Sequence, residues 1–473
     1  MFKKNIVLLI GLYLFVTAVS AQNDTIRYDI TLSGLAAKGD YAPFWMHNRQ
    51  YAKVSASPQS VGLQLGASKS FHHQNKWFDY SFGVSGLVRN NGDSTDLYFH
   101  EIYAQARVLI FDAIIGSKEE QTGVEDASLS SGGFLFSHNA RPLPRVTVGM
   151  LNYHPIPFTK GYAEIRGALS QGWFRDDMAI ADVLLHHKYA YFRFGGKLPV
   201  HLQYGFEHVA QWGGESQNAQ IGNQPTGIKN FIDIFLGRSG GSDATLSDQI
   251  NTLGNHIIGQ SLRLDIQLSD YEWGMYWQII NEEPPIRKIG DTMNTPDGLW
   301  GVSLRNKNFP FVKGILYEYM NSTDQSGPFH DRDGIVYGGN DSYFLGQYPA
   351  GWSYYSRTIG TPLITSPLYN KDGKIYTTNN RVQAHHFGIE GDVSGFNYRM
   401  LATFSKNYGN TSVYLSESLL KRNTSLMFEM NKRVERLWNA ELGCTLGMDK
   451  GDLFGNNYGV QLSVRKVGDL FHW

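Results

Sequence analysis

The sequence has a single cysteine, few charged residues and almost no net charge. With only Cys444 present, no intramolecular disulfide can form, which excludes a disulfide-stapled secreted scaffold. Charged residues make up 18% of the 473 residues, against about 25% in typical soluble domains, and the formal net charge is −1. Nucleic-acid-binding proteins carry a basic excess or a basic stripe, so no nucleic-acid partner is expected.

Long apolar runs are also absent after residue 21. None reaches the roughly 18 residues that a membrane-spanning helix needs, and this excludes a helical transporter. Before that point, Lys3 and Lys4 precede an apolar stretch from Ile6 to Val16, and small residues follow up to Ala21. These features predict a signal peptide over residues 1–21, cleaved after Ala21.

The chain is rich in aromatic residues (14%) and in glycine (51 residues), and its apolar residues recur with a period of two. Val61, Leu63 and Leu65 alternate with small or polar residues, and so do Leu442, Cys444 and Leu446 near the end of the chain. Successive side chains of a strand point to opposite faces, so each of these strands has one apolar face. Either a soluble two-sheet sandwich or a membrane barrel would satisfy this pattern.

Strand length and the position of the aromatic residues favour the barrel. The alternating segments run for about ten residues, the length of a tilted transmembrane strand. Aromatic residues gather at strand ends, as in 77–78 and 271–277, where interfacial girdles lie in outer-membrane barrels. We therefore expect an all-β fold: one transmembrane antiparallel β-barrel of about 16–18 strands, occupying residues 22–473 as a single domain in the outer membrane.

One segment is helical rather than extended. Between Gly227 and Arg238, apolar residues recur at positions i, i+3, i+4 and i+7, which indicates an amphipathic helix. Residues 242–253 could form a second short helix. We expect such helices at the periplasmic side or in the lumen.

Catalytic and metal-binding motifs are not evident. The sequence shows no nucleophile motif, phosphate loop or zinc-ligand spacing. The pairs His186-His187 and His385-His386 would point to opposite faces of a strand and so could not clamp one metal ion. No catalytic residue, metal or cofactor is predicted, and the chain is expected not to be an enzyme.

Several short segments form a distinctive set when taken in order. They include Ala42-Pro43-Phe44-Trp45, Leu129-Ser130-Ser131-Gly132, Ser137-His138-Asn139-Ala140-Arg141-Pro142, Leu299-Trp300-Gly301 and the stretch from Tyr348 to Tyr355. In this order they resemble the Wzi family of capsule-assembly proteins. The similarity spans nearly the whole chain after residue 21. It implies an outer-membrane barrel of about 18 strands that binds capsular polysaccharide at the cell surface and is not an enzyme.

Aromatic and hydrogen-bonding residues in Gly-rich, loop-like stretches are the candidate polysaccharide-binding residues. They are Trp212, Asp297, Trp300, Gln325, Trp352, Tyr354, Tyr355 and Arg357. Aromatic rings could stack on sugar rings, and Arg357 could pair with an acidic sugar. An aromatic girdle or a packed loop would explain the same residues. Only one of the adjacent Tyr354 and Tyr355 is expected to face a ligand.

The leading interpretation is a surface lectin for capsular or extracellular polysaccharide that supports capsule assembly and attachment. Its expected partners are that polysaccharide, outer-membrane lipid and, as a further candidate, the capsule export machinery. The alternative is a passive or ligand-gated outer-membrane channel.

Overall fold

The computed structural model describes residues 25–72, 77–120, 122–176, 179–216, 222–250, 252–282, 297–325, 329–332, 335–338, 342–410 and 420–472. The expected signal peptide lies outside these residues. Within them, no helix is long and apolar enough to cross a bilayer.

Eighteen long antiparallel strands form the wall of the molecule. They are β1 (Thr25–Lys38), β2 (Gln59–Lys69), β3 (Phe78–Asn90), β4 (Thr95–Val108), β5 (Phe111–Ser117), β6 (Arg145–Pro155), β7 (Ala163–Trp173), β8 (Leu184–Phe194), β9 (Val200–Trp212), β10 (Asn255–Leu268), β11 (Tyr271–Asn281), β12 (Gly298–Asn306), β13 (Gly314–Asn321), β18 (Val382–Val393), β19 (Phe396–Asn407), β20 (Lys421–Val434), β21 (Ala440–Gly451) and β22 (Asn457–His472). Two short hairpins between β13 and β18 stand apart from the wall: β14 (Phe329–Arg332) with β15 (Ile335–Gly338), and β16 (Ser353–Tyr354) with β17 (Arg357–Thr358).

The wall closes on itself. Each wall strand pairs with the next wall strand along the chain, and β1 also pairs with β22, for example through Gly34 opposite Leu462. A closed ring leaves no unpaired sheet edge, which is the condition for a sheet to cross a membrane. The predicted fold class, an outer-membrane β-barrel of about 16–18 strands, is confirmed, and the barrel has 18 strands.

The period-two pattern decides which side chains face outward. On β21, Leu442 and Leu446 are exposed, whereas a side chain added at Gly447 would collide with Met46 inside the barrel. Cys444 is in register with the two leucines and is paired with the exposed Leu462 of β22, so it faces outward as predicted.

The two ends of the barrel differ in the length of their connections. Turns such as 109–110, 269–270 and 394–395 lie at the end where β1 begins and β22 ends, and connections such as 118–144, 213–254 and 322–381 lie at the other end. Outer-membrane barrels have short periplasmic turns and long extracellular loops. The long-loop end is therefore the extracellular end.

Helices occupy two different environments. Helix α1 (Phe44–His47) lies inside the barrel, where Trp45 Nε1 donates to Thr403 Oγ1 over 2.9 Å. Helices α2 (Ile228–Leu236) and α3 (Leu246–Ile250) belong to the connection between β9 and β10. Helix α1 was not predicted from the sequence. The two predicted helices correspond to α2 and α3, and their expected placement at the periplasmic side or in the lumen is wrong, because both are at the extracellular end.

The core of the molecule fills the lumen. One continuous cluster of buried apolar residues joins the inner wall to five connections between strands. From the connections it takes Phe44, Trp45, Leu129, Phe134, Leu135, Phe174, Ile180, Tyr343, Phe344, Tyr348, Trp352, Tyr354, Ile364 and Phe454, and from the wall Leu185, Tyr191, Val209, Tyr276, Leu316, Leu401 and Met427. Loops that would otherwise cover the mouth thus form a plug.

Candidate functional site: the extracellular mouth

The connection between β5 and β6, residues 118–144, crosses most of the barrel and forms the body of the plug. Both of its ends lie at the extracellular rim, yet Asp126 accepts hydrogen bonds from Arg305, one residue before the periplasmic end of β12. Nearby, Arg399 Nη1 donates to the carbonyl oxygen of Ser128 over 3.1 Å. Charged wall residues therefore hold the plug from below.

The connection between β13 and β18, residues 322–381, closes the plug from above. Trp352 Nε1 donates to the carbonyl oxygen of Leu135 over 2.9 Å. The backbone N–H of Ser137 donates to the carbonyl oxygen of Ile359 over 3.0 Å. Asn139 Nδ2 adds a bond to the carbonyl oxygen of Thr358. The two loops form one hydrogen-bonded layer at the mouth.

A tight hairpin, β16–β17, places one tyrosine on the surface of this layer. Its two turn residues, Tyr355 and Ser356, have φ values of 49° and 59°, the sign that a two-residue type I′ turn requires. Asn and Gly usually occupy such positions, because larger side chains are disfavoured there. Tyr355 is held in place by its hydroxyl, which donates to the carbonyl oxygen of Arg175, and by its N–H, which donates to Asp176.

Tyr355 forms one side of a cationic sandwich, which we call the rim platform and define as Tyr98, Arg141 and Tyr355. The guanidinium carbon of Arg141 lies 3.5 Å from the ring centroid of Tyr355 and 4.2 Å from that of Tyr98. Arg141 makes no hydrogen bond or ion pair with any residue that the structure describes, and its Nε is buried without a partner. Stacking on rings leaves the N–H edge of a guanidinium available for a carboxylate.

Two further arginines add positive charge beside the platform. Arg357 is buried and donates to the carbonyl oxygens of His47 and Val54. Burial, assisted by the charges of Arg89 and Arg141, lowers the pKa of Arg357 to about 10, so it remains protonated at neutral pH. Arg89 is paired with Asp96 over 2.6 Å. Of the three guanidinium groups, that of Arg141 alone lacks an anionic or carbonyl partner among the described residues.

The structure brings four of the sequence-predicted residues together around this hairpin. Trp352, Tyr354 and Arg357 are enclosed by protein, and Trp352 is 1% exposed. Tyr355 is 37% exposed. Tyr354 is buried, so Tyr355 is the more exposed of the two adjacent tyrosines, although it lies in a turn and not in the extended segment that alternation assumed. That only one of the two contacts a sugar stays a prediction.

Asp297 and Gln325 lie together in the interior rather than at the platform. Asp297 accepts hydrogen bonds from Asn321 Nδ2 at 2.9 Å and from the N–H of Gln325 at 3.0 Å. The amide of Gln325 in turn donates to the carbonyl oxygens of Ser322 and Asn380. Both side chains are used in fixing the start of the plug loop 322–381.

Trp212 and Trp300 require a correction, because they lie in strands and not in loops. Trp300 faces outward on β12, is 44% exposed, and its ring centroid lies 5.5 Å from that of Trp277 on β11. This position is that of an aromatic girdle. Trp212 is the last residue of β9 and packs on the outer face of the wall against Ile234 of α2. Neither ring faces the mouth.

Sequence reasoning missed Arg141 and Tyr98 as site residues. Arg141 was part of a motif that resembles the Wzi family, and Tyr98 lies just before the alternating segment that starts at Glu101. Neither position revealed that the two would meet Tyr355, which is far away in the chain. The available signal was an arginine directly before the Pro142-Leu143-Pro144 segment.

A cavity of a different character lies elsewhere. It measures about 940 Å³ and lies on the outward wall between β11 and β21, lined by apolar side chains such as Val302, Tyr317 and Phe387. A groove of this kind on a membrane-facing wall offers space to lipid tails rather than to sugars. No cluster of metal-ligating residues occurs in the part of the chain that the structure describes.

The closed wall, the loop-filled lumen and the cationic rim define an outer-membrane β-barrel that is plugged by its own extracellular loops. Among solved structures, the protein is similar to Wzi of Escherichia coli, an outer-membrane protein involved in group 1 capsule assembly and a carbohydrate-binding β-barrel. The TM-score is 0.58 at 12% identity, over 97% of this chain and 88% of that chain. This similarity shows the fold.

Two Pseudomonas aeruginosa proteins are less similar. OccK2 (OpdF), solved in complex with glucuronate, has a TM-score of 0.48 at 11% identity, covering 95% of this chain and 100% of that chain. OccK5 (OpdH) has a TM-score of 0.47 at 8% identity, covering 95% and 99%. No protein-family model and no curated protein matches the sequence.

Proposed function

We propose that this protein is a non-enzymatic surface lectin that binds an acidic capsular or extracellular polysaccharide at the rim platform. The observation that carries the proposal is Arg141, a guanidinium held between two tyrosine rings at the mouth without an ionic partner among the described residues. Through this binding, the protein would support assembly and attachment of the capsule.

The platform offers two kinds of contact to an acidic sugar. The N–H edge of Arg141 matches the two oxygens of a uronate carboxylate, which favours a bidentate pair. The exposed part of Tyr355 can pack against the C–H face of a sugar ring, and base stacking on comparable aromatic platforms is worth about 1–3 kcal/mol. Arg89 and Arg357 add positive potential, which attracts a polyanion.

The similarity to Wzi supports the proposal as a fold-level analogy, because that barrel binds carbohydrate and takes part in capsule assembly. A channel is the competing function. The filled lumen supports the lectin, since the apolar cluster joins five connections to the wall across the barrel.

Binding by purified variants tests the proposal. Arg141→Gln removes the charge and keeps much of the side-chain length, and Tyr355→Ala removes the ring. Lys374→Gln is the matched control, because Lys374 is an exposed cation of the plug loop 322–381 that pairs with the neighbouring Asp372. Heat-modifiable migration on gels establishes that each barrel has folded, and calorimetry then measures binding of a uronate-containing and a neutral oligosaccharide.

We expect Arg141→Gln to weaken uronate binding by roughly tenfold, equivalent to about 1.4 kcal/mol, with little effect on the neutral sugar. Tyr355→Ala should weaken the binding of both sugars, and Lys374→Gln should weaken the binding of neither. Cells that carry Arg141→Gln should also retain less capsule. If both platform variants fold and bind as the parent does, the platform is not the binding site.

A further inference from the structure

Four polar side chains lie on the outer face of the wall, where an outer-membrane barrel normally presents apolar side chains. On β8 and β9, Tyr191 and Glu207 are hydrogen-bonded to each other inside the barrel. Because side chains alternate along a strand, residues of even number on these strands point outward. The same holds on β10, where Arg263 reaches inward to the carbonyl oxygen of Val124. We call the four outward residues the histidine patch: His186, Lys188, His208 and His256.

The patch is buried although it is on the outside. The rings of His208 and His256 are stacked with centroids 4.9 Å apart, and their Nε2 and Nδ1 atoms are 2.7 Å apart. His256 Nε2 lies 2.7 Å from the carbonyl oxygen of Leu253, and all three histidines are shielded from solvent. Neither ring nitrogen of His186 has a hydrogen-bond partner among the described residues.

Helix α2 is the cover. Its Phe231 and Phe235 rings meet the ring of His186 edge-on, with centroid distances of 5.7 and 5.5 Å. Lys188 Nζ donates to the carbonyl oxygen of Phe235 at the C-terminal end of the helix and lies 3.9 Å from the ring centroid of Phe235. A cation is favourable at a helix C-terminus, so α2 both covers this part of the wall and interacts favourably with the charge of Lys188.

The cover leaves an apolar stripe of its own exposed. Ile228, Ile232 and Leu236 are four residues apart and share one side of the helix, and Ile228 is 76% exposed. Phe235 borders this stripe, since it follows Ile232 by three residues and Ile228 by seven. Phe235 contacts Lys188. Lys188 lies deeper in the wall than His186, because it is two residues further from the extracellular end of β8. The stripe is thus on the membrane side of the helix.

We propose that α2 is seated in the outer leaflet of the outer membrane, with Ile228, Ile232 and Leu236 in contact with lipid acyl chains. Helix and wall together then present a continuous apolar surface, and the histidine patch never meets lipid. Lys229 borders the stripe and Asp233 follows it around the helix, which places charge on the side that faces water. This inference does not depend on the polysaccharide site.

The single cysteine of the chain allows a direct test. Cys444→Ser provides a cysteine-free background, and Ile232→Cys carries an environment-sensitive fluorophore on the stripe. Asp233→Cys, labelled in the same way, is the matched control on the other side of the same helix. Each protein is reconstituted in vesicles of equal parts phosphatidylcholine and phosphatidylglycerol, with and without brominated acyl chains.

We expect the label at position 232 to emit at shorter wavelength and to be quenched several-fold by brominated lipid, with little quenching at position 233. Equal quenching at the two positions would overturn the proposal. A blue shift at 232 that needs high protein density and is insensitive to bromine would also overturn it, in favour of a second copy of the chain. If Ile232→Cys does not fold, Leu236→Cys tests the same stripe.

Discussion

The carboxylate of Asp126 and the guanidinium of Arg305 are joined by hydrogen bonds of 2.7 and 2.8 Å. Asp126 belongs to a loop that starts and ends at the extracellular rim, and Arg305 lies at the periplasmic end of its strand. The pair therefore fixes the plug through the depth of the barrel.

Breaking that contact should loosen the plug. Arg305→Ala leaves the carboxylate of Asp126, which is 3% exposed, without its cationic partner, a loss of about 2 kcal/mol. In planar bilayers we expect the parent to be nearly silent and the variant to open more often. Arg465→Ala is the control, since Arg465 pairs with Asp29 where both are exposed. A wide, steady conductance of the parent would favour the channel instead.

The plug should also respond to pH through Glu125. Burial raises the pKa of this carboxyl from 4.5 to about 7, although Gln278 Nε2 donates to it over 2.7 Å. A raised folded-state pKa means that the protonated form is favoured in the packed plug. The resulting stabilisation is complete below about pH 4.5 and is lost as the pH rises through about 7.

Opening events or protease cleavage within the plug should accordingly increase between about pH 4.5 and pH 7 and level off above that. Glu125→Gln is neutral at every pH and keeps an oxygen for Gln278, so the increase should be reduced. An unchanged pH profile in this variant would show that another group controls the plug.

Trp352 should act on binding through packing. Its ring is buried against Phe136 and Phe174, and its Nε1 is bonded to the plug, so Trp352→Ala should cost about 3–5 kcal/mol. Thermal denaturation measures this loss, and weaker polysaccharide binding should accompany it. Trp352→Phe retains most of the packing and should bind nearly as the parent does. Loss of binding in a Trp352→Phe variant of normal stability would instead mean that the indole touches the ligand.

The outward position of Cys444 gives a test of the wall. Cys444→Arg places a charge on the lipid face and should destabilise the barrel by ~2–4 kcal/mol if the residue is near the bilayer midplane. Thr445 is its inward neighbour, and Thr445→Ser should cost little. Urea titrations of refolded protein in vesicles compare the two. Equal effects would contradict the inside and outside assignment.

Alternation predicted the wall because it is a local property. Apolar residues at every second position identify a strand and the face that it turns outward. Each wall strand then pairs with the next one along the chain, so the order of strands follows directly from the sequence. The plug could not be predicted in this way, since its contacts, such as Asp126 with Arg305, join residues that the sequence separates widely. Burial of Trp352 and Tyr354 follows from the same non-local packing.

The helix between β9 and β10 shows a related limit. Its 3.6-residue period was visible in the sequence, and the structure has a helix there. The period says which residues share a face but not which surface that face meets. The outward Trp212 and the outward histidines, both in contact with α2, reveal that the helix lies outside the wall. The histidine pairs in the sequence did not indicate a covering helix.

The most direct test of the central claim pairs a change in the protein with a change in the sugar. Binding of an acidic polysaccharide and of its carboxyl-reduced form is measured for the parent and for Arg141→Gln. If Arg141 pairs with the carboxylate, reduction of the sugar should weaken binding to the parent by roughly tenfold and should barely affect the variant. Equal losses upon reduction in both proteins would contradict the account, because the carboxylate would then be bound elsewhere or not at all.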